Sequence, residues 1–337
     1  LVVQETHIAL AHGNGGRFMQ ELIQEMFARH LANPDLDTRA DAALVPGLPE
    51  GDVLISTDGF TVQPLEFPGG NIGSLAAHGT INDLAVAGAD PRYFSLNCFI
   101  EEGLEVALLD RIIGALGIAA RDSDVRVIAG DTKVVRRGEG GGIYLATTGI
   151  GVRPAGLDLG LHRIQEGDRI VVSGPVGDHG IAVMLAREQF GLRGDLKSDA
   201  ASVLPLTRAV RAIEGLKFMR DPTRGGLATV AHEIHKASHL SVRLDGPALP
   251  IRDPVQSVCD MLGYDPLYLA CEGRVVAVAD PAAADQVLRA WRGLDPGSEA
   301  AMIGEIVTGP HAVTMVTEIG GERILEELED DPLPRIC

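Results

Sequence analysis

Stretches with apolar residues three and four positions apart alternate along the chain with short, continuous apolar runs, a pattern that predicts helices interleaved with strands. Phe18, Leu22 and Met26, with Ile23 and Phe27, form an i, i+4 stripe just after the glycine-rich stretch His12-Gly13-Asn14-Gly15-Gly16. Residues 52–58 read as a buried strand closing on Asp58-Gly59, and 71–88 as a helix carrying Asn82-Asp83 among small residues. A strand over 93–100, a helix over 106–120, a strand over 125–128 running into Gly130-Asp131-Thr132-Lys133, and a strand over 143–152 complete the first half. Periodicity fades near 153–165, where Pro154, Gly156 and Gly160 mark a boundary. The second half predicts strands over 169–173, 274–279, 300–307 and 312–319, with helices over 181–190, 200–213, 254–262 and 282–292. A further helix opens at Leu227, behind Asp221-Pro222-Thr223-Arg224-Gly225-Gly226. This order is α+β rather than strictly βαβ. Four segments result: a glycine loop and helix over 1–40, an α/β domain over 41–153, an α+β domain over 154–325, and a tail over 326–337.

Composition narrows the function classes. The 337 residues suit two domains. A net charge of −18 repels phosphate backbones and anionic lipid heads, so nucleic acid and membrane surfaces are not expected partners. No apolar run is long enough to cross a bilayer, and no charged-then-apolar leader is visible. Cys98, Cys259, Cys271 and Cys337 show no CxxC or zinc spacing and fit a reducing cytoplasm.

Candidate chemistry gathers at the ends of elements. Asp58, Asp83, Asp131 and Asp221 are hard oxygen donors of the kind that a phosphate-bound Mg2+ takes, although an aspartate after a strand is also a common turn former. Lys133 suits neutralising a nucleotide phosphate, or is a surface lysine at a strand end. The glycines of 12–16 read as a lid over phosphate or as an ordinary turn. Pro222 and the glycines before Leu227 describe an anion-receptive helix start. A P-loop and a dinucleotide fingerprint are both missing, so a nucleotide would be held in another way. His232, His235 and His239 read as a half-exposed helix face rather than a zinc site. In Asp265-Pro-Leu-Tyr-Leu-Ala-Cys271-Glu272-Gly273, Glu272 is a candidate general base or part of a turn leading into a strand. Five acids in the six positions from Glu326 to Asp331 read as a solvated spacer before Pro332-Leu-Pro334-Arg-Ile-Cys337, an extended tail ending on a thiol.

Taken together, His12-Gly-Asn-Gly-Gly16, Ser56-Thr-Asp58, Phe67-Pro-Gly-Gly70, Gly79-Thr-Ile-Asn-Asp-Leu-Ala-Val-Ala-Gly88, Gly130-Asp-Thr-Lys133, Gly177-Asp-His-Gly180, Asp221-Pro-Thr-Arg-Gly-Gly226 and Pro334-Arg-Ile-Cys337 resemble the HypE family of hydrogenase maturation factors. That family lies in the aminoimidazole ribonucleotide synthetase and selenophosphate synthetase superfamily. The resemblance implies an N-terminal α/β domain forming a β-barrel with a second copy in a homodimer, and a C-terminal α+β domain. It implies ATP in the cleft, held by Asp58, Asn82, Asp83, Asp131, Thr132, Lys133 and Asp221, with Mg2+ on the four aspartates. It further implies that HypF carbamoylates Cys337, and that ATP then drives dehydration of the thiocarboxamide to a thiocyanate. The cyanide passes to a HypC–HypD complex for the iron of a [NiFe] hydrogenase. Glu272 and Lys133 are the implied proton acceptors. The family usually has Asn before that Glu; here Cys271 stands, leaving open a lost polar contact or a second thiol near the tail. The alternatives are a small-molecule kinase or synthetase of the same superfamily and a non-catalytic maturation scaffold.

Overall fold

The computed structural model describes residues 5–40, 42–187 and 195–328. Its contacts divide into two compact units, one made of the chain up to Leu84 with Ala89–Ala155, the other of Ala85–Gly88 and the chain from Gly156 onward.

In the first unit, α1 (Arg17–Leu22) continues through a π turn, Ile23–Phe27, into α2 (Ala28–Leu31). Leu22, Met26, Phe27 and Leu31 are buried, as the i, i+4 stripe predicts. The chain continues through β1 (Asp52–Phe60), the two-residue strands β2 (Glu66–Phe67) and β3 (Gly70–Asn71), α3 (Ile72–Val86), β4 (Asp90–Glu101), α4 (Val106–Asp122), β5 (Arg126–Val135) and β6 (Ile143–Arg153). The four long strands form one sheet in the order β1-β6-β4-β5, antiparallel except for the β4–β5 pair. That parallel pair is joined through α4, as parallel neighbours require a crossover.

Helix α3 positions the first candidate residues. The Asn71 side chain accepts hydrogen bonds from the amides of Gly73 (2.9 Å) and Ser74 (3.1 Å) and caps its start. Apolar on nearly every side, the helix lies buried. Against β6, the buried hydroxyls of Thr80 and Thr147 pair at 2.5 Å, and Thr147 also donates to the Ala76 carbonyl at 3.3 Å. Against α4 the backbones nearly touch, for a Cβ at Gly73 would lie 2.0 Å from the Ile112 carbonyl oxygen.

Strand β1 departs from expectation. It is an edge strand, not a buried one, with Val53 58% and Ile55 72% exposed. Phe99 of β4 and Tyr144 of β6 are exposed too, so the apolar character of 53–55 reports an open sheet and not a core.

The second unit is built on seven strands. In chain order it contains β7 (Arg169–Val172), α5 (Asp178–Ala186), α6 (Leu204–Val210), β8 (Leu216–Arg220), α7 (Gly226–Ser238), β9 (Ser241–Asp245), α8 (Asp253–Leu262), β10 (Val276–Ala279), α9 (Pro281–Arg292), β11 (Ala301–Val307), β12 (Val313–Val316) and β13 (Glu322–Ile324). The sheet order is β13-β12-β9-β11-β7-β10-β8, with only β9–β12 parallel. Ile170, Val172, Leu227, Ile234, Val276 and Ile303 stand at the centre of its core.

Strands β8 and β9 carry no clear signal in the sequence. Within β8, Lys217 is buried and pairs with Asp168 at 2.7 Å, so a charge interrupts the apolar run. The helix expected over 200–213 is only Leu204–Val210, and α5 begins earlier than expected, at Asp178. Positions 188–190 of that expected helix lie outside the described residues.

The α3–α4 contact is directly testable. Gly73→Ala is expected to cost about 1–3 kcal/mol through overpacking against Ile112, read as a lower midpoint in thermal or urea unfolding. An unchanged midpoint would mean that the two backbones are not held in contact.

Candidate functional site

In the first unit the glycine-rich stretch is tied down at one end and open at the other. His12 is buried, its Nδ1 accepting the Ala9 amide at 3.0 Å, and a Cβ at Gly13 would lie 2.8 Å from the Val134 nitrogen on β5. Asn14, Gly15 and Gly16 are exposed, and Gly15 has φ +81°. The loop thus lies beside the strand that carries Asp131 and Lys133.

The aspartates fall on two faces of the sheet. The Ser56 hydroxyl donates to Asp83 at 2.6 Å, linking β1 to α3. Asp58, two residues along the same face, accepts the Gly59 amide at 2.8 Å. Gly79 lets the Phe60 ring pack onto α3, since a Cβ there would lie 2.6 Å from Phe60 Cε1. Asn82 is buried on the same helix. By register, Asp131 and Lys133 stand beside Asn97 and Phe99 on the open face, all four exposed, while Thr132 between them is buried. Asp131 accepts the Thr132 amide at 2.9 Å. Met19, Ile23, Phe27 and Leu36 wall a cavity of about 170 Å³ that reaches Gly130, Asp131 and Thr132.

Among the described residues, no three His, Cys, Asp or Glu side chains converge to hold a metal by themselves. Asp58 and Asp83 lie on the α3 side, Asp131 on the other face, and Asp221 in the second unit. The four do not form one donor set within a chain; Asp58 and Asp83, on one side of the sheet, fit a cation delivered with a polyphosphate, because Mg2+ keeps several waters and takes one or two carboxylates alongside phosphate oxygens.

In the second unit two glycine motifs, 177–180 and 221–226, meet one turn. A Cβ at Gly226 would lie 2.5 Å from the carbonyl oxygens of both Leu267 and Leu269, pressing the start of α7 onto this segment. The Cys271 amide donates to Pro222 O at 3.0 Å, and the Gly180 amide to Ala270 O at 3.2 Å. The Gly177 amide donates to Cys271 Sγ at 3.2 Å. Asp221 and Glu272 are both buried, and the structure brings their segments side by side through the Cys271–Pro222 bond.

Cys271 answers the question raised by its departure from the family pattern. Its side chain is fully buried, and burial raises its pKa well above the usual thiol range, with Asp199 adding to the effect. Its sulfur is the acceptor for Gly177, a part that an amide oxygen would also fill. It is an inert packing group and not a second reactive thiol. Cys98 and Cys259 are likewise buried, and burial pushes the Cys259 thiol up to about 12.

The α7 histidines serve the backbone. His232 Nε2 donates to Leu325 O at 3.1 Å, His235 Nδ1 donates to Leu240 O at 2.6 Å, and His239 caps the helix with φ 59°. The described chain leaves along this helix: Tyr268 donates to Glu326 O at 2.6 Å, and Lys236 pairs with Glu327. Cys337 and the Pro332–Arg335 stretch lie outside the described residues.

Sequence reading missed a charged cluster behind the turn. Asp178, at the start of α5, has its side chain 1% exposed, with Arg252 at 3.5 Å and Arg274 at 3.7 Å. Its Oδ1 is buried with no hydrogen-bond partner. Burial pushes its pKa up to about 6, opposed by Arg252 and aided by Asp199. The native state therefore takes up a proton between pH 6 and 4 that the unfolded chain binds only near 3.8. Wild type is expected to gain on the order of 1–2 kcal/mol relative to Asp178→Asn as the pH falls from 7.5 to 4.5. Parallel urea titrations check this, and a pH-independent difference between the two proteins would contradict it.

The chain matches the family model of the AIR synthase related protein N-terminal domain over residues 39–153 and that of the C-terminal domain over 165–317. It is 45% identical over 332 residues to the carbamoyl dehydratase HypE of Azotobacter vinelandii, covering 98% of this chain and 97% of the relative. It is 43% identical over 335 residues to the carbamoyl dehydratase HypE of Escherichia coli (strain K12), covering 98% and 99%. Among solved structures, the hydrogenase maturation protein HypE in complex with ATP superposes with a TM-score of 0.92 at 40% identity, covering 97% of this chain and 99% of that one. A HypE–HypF complex matches with a TM-score of 0.80 at 39% identity, covering 91% and 99%. With both domains matched and relatives aligned over nearly their whole length, the chain belongs to the HypE family of carbamoyl dehydratases, among the AIR synthase related proteins.

Proposed function

We propose that this enzyme uses ATP to dehydrate a thiocarboxamide carried on its own Cys337 to a thiocyanate, the source of the cyanide ligand for a [NiFe] hydrogenase iron. The amide oxygen is a poor leaving group. Its attack on the γ-phosphorus releases ADP and turns that oxygen into part of a phosphate. The nitrogen gives up its two protons, the C–O bond breaks, and inorganic phosphate departs as the C≡N bond completes. Phosphoryl transfer asks mainly for positioning and neutralised charge. Lys133 supplies a cation on the open strand face, and the exposed Asn14–Gly16 stretch suits an approach to phosphate, its Gly15 and Gly16 amides exchanging their local bonds to Met19 Sδ and Asn14 Oδ1 for phosphate oxygens. The cavity walled by Met19, Ile23, Phe27 and Leu36 suits the nucleoside. Asp58 and Asp83 would hold one Mg2+, and Asp131 or Asp221 a further one, each supplying charge neutralisation at the phosphates. Glu272 takes one nitrogen proton and the departing phosphate carries away the other, with Lys133, as a cation, assisting by steadying the phosphate charge.

The observation that carries this reading is the convergence of two glycine motifs, 177–180 and 221–226, on the turn that ends in Glu272, which is buried beside the Asp221 turn. A carboxylate so enclosed works as a base while water is kept from a hydrolysable intermediate. HypF is the carbamoyl donor partner in this reading, and HypC–HypD the acceptor of cyanide. The open sheet face with Val53, Ile55, Phe99 and Tyr144 suits pairing with a second copy. No described helix is long and apolar enough to cross a membrane, and a cytoplasmic site of action fits the unpaired buried thiols.

The C-terminal peptide of the carbamoylated full chain is expected to lose the mass of one water when ATP and Mg2+ are added, as read by mass spectrometry. Cys337→Ala is expected to bind ATP and form no cyanide; cyanide formation by that variant would refute the role of the tail. Glu272→Gln is expected to slow the mass change on the order of 100-fold. Asp83→Asn and Asp131→Asn are expected to weaken Mg2+-ATP binding, and unchanged affinity in both would remove the metal assignment.

A further inference from the structure

Behind Glu272 lies a buried carboxylate that the chemistry above does not employ. The Asp199 side chain, 1% exposed, straddles the turn: Oδ1 accepts the Glu272 amide at 3.2 Å and Oδ2 the Gly273 amide at 3.3 Å. The strap returns the contact, with the Ala201 amide donating to Glu272 O at 3.4 Å. A Cβ at Gly273 would lie 1.9 Å from Asp199 O, so glycine alone permits this approach. Arg274 completes the arrangement. Its Nε lies 3.4 Å from Asp199 Oδ2 and donates to Pro175 O at 2.9 Å, while Nη2 faces Asp178 at 3.7 Å. One nearly buried guanidinium therefore compensates two buried carboxylates from different segments.

A buried charge is a costly way to hold a turn, since a neutral acceptor would satisfy the same amides. What a charge adds is stiffness, through charge-assisted bonds, and a field at the neighbouring side chain. We infer that Asp199, braced by Arg274, is a positioning residue for Glu272: it fixes the backbone from which that carboxylate projects and biases its proton affinity. The inference rests on the reading of Glu272 as the base. Among the described residues, the charged side chains gathered at this turn are Asp178, Asp199, Arg252 and Arg274, with Glu299 on Arg252. Removing the Asp199 charge leaves Arg274 less compensated, which favours ionised Glu272.

The test uses the carbamoylated full chain at saturating ATP and follows the first-order loss of water against pH. Asp199→Asn is expected to lower the plateau rate about tenfold or more, leave ATP affinity within about twofold, and move the acid limb to lower pH. Ser198→Ala is the control: it removes the hydroxyl that accepts the Ala200 amide at 3.0 Å and bonds His179 Nδ1 at 2.8 Å, takes away no charge, and should leave the limb in place. An Asp199→Asn limb that stays with wild type, or an unchanged plateau rate, overturns the inference. Should Asp199→Asn not fold, Asp199→Glu keeps the charge but displaces it. A slower plateau with the limb in place then supports positioning, and an unchanged rate refutes it. Glu272→Gln separates the two levels. If it retains the wild-type rate and acid limb, the base assignment fails and takes the inference with it. If it loses the rate while Asp199→Asn does not, only the positioning role falls.

Discussion

Close approach of backbone to backbone, with no side chain between, is the constraint on which the second unit's candidate site depends. Gly226 lies against the carbonyls of Leu267 and Leu269, Gly273 against that of Asp199, and Gly180 hydrogen-bonds Ala270. The contacts of Gly226 and Gly273 are possible because a Cβ is missing, and all three bring a segment distant in sequence onto the same turn. The same device recurs in the first unit, where Gly73 brings α3 against α4 and Gly13 brings the N-terminal loop onto β5. Glycines in this chain serve less to let it bend than to let its parts touch.

Electrostatics follow from that packing. An acidic protein that buries carboxylates must compensate them, and it does so locally: Lys217 with Asp168, and Arg274 with both Asp178 and Asp199. The compensation is incomplete at Asp178, where desolvation outweighs two arginines. The Cys271 thiol, enclosed by the same carboxylates, stays protonated. Reactivity is thereby denied to a sulfur that sits beside the candidate base.

The sequence disclosed those features that are local. The i, i+4 stripe of Leu22, Met26 and Phe27, the long helices α3 and α4, and the glycine punctuation at 221–226 all leave their signal within a few residues. Strand β1 misled because apolar residues on an uncovered sheet look the same in sequence as buried ones. Strand β8 hid because its buried Lys217 finds its carboxylate 49 residues away. The brace at Asp199 was illegible for the same reason: its bond to Glu272 spans 73 residues. The aspartates were read as one group, yet Asp58 and Asp83 share one side of the sheet while Asp131 stands on the other. Strand parity, which separates them, depends on a register that no single segment encodes.

Fastening of the chain to α7 has a geometric result. Leu325 is buried, and Tyr268 and Lys236 secure the next two residues, so the described chain is held close to Leu328, its last residue. The nine residues from 329 to 337 measure about 30 Å when fully drawn out. In the reaction proposed above, an enzyme that loads Cys337 must bring its catalytic centre within that covalent span of the held residues, which bounds how the two proteins can dock.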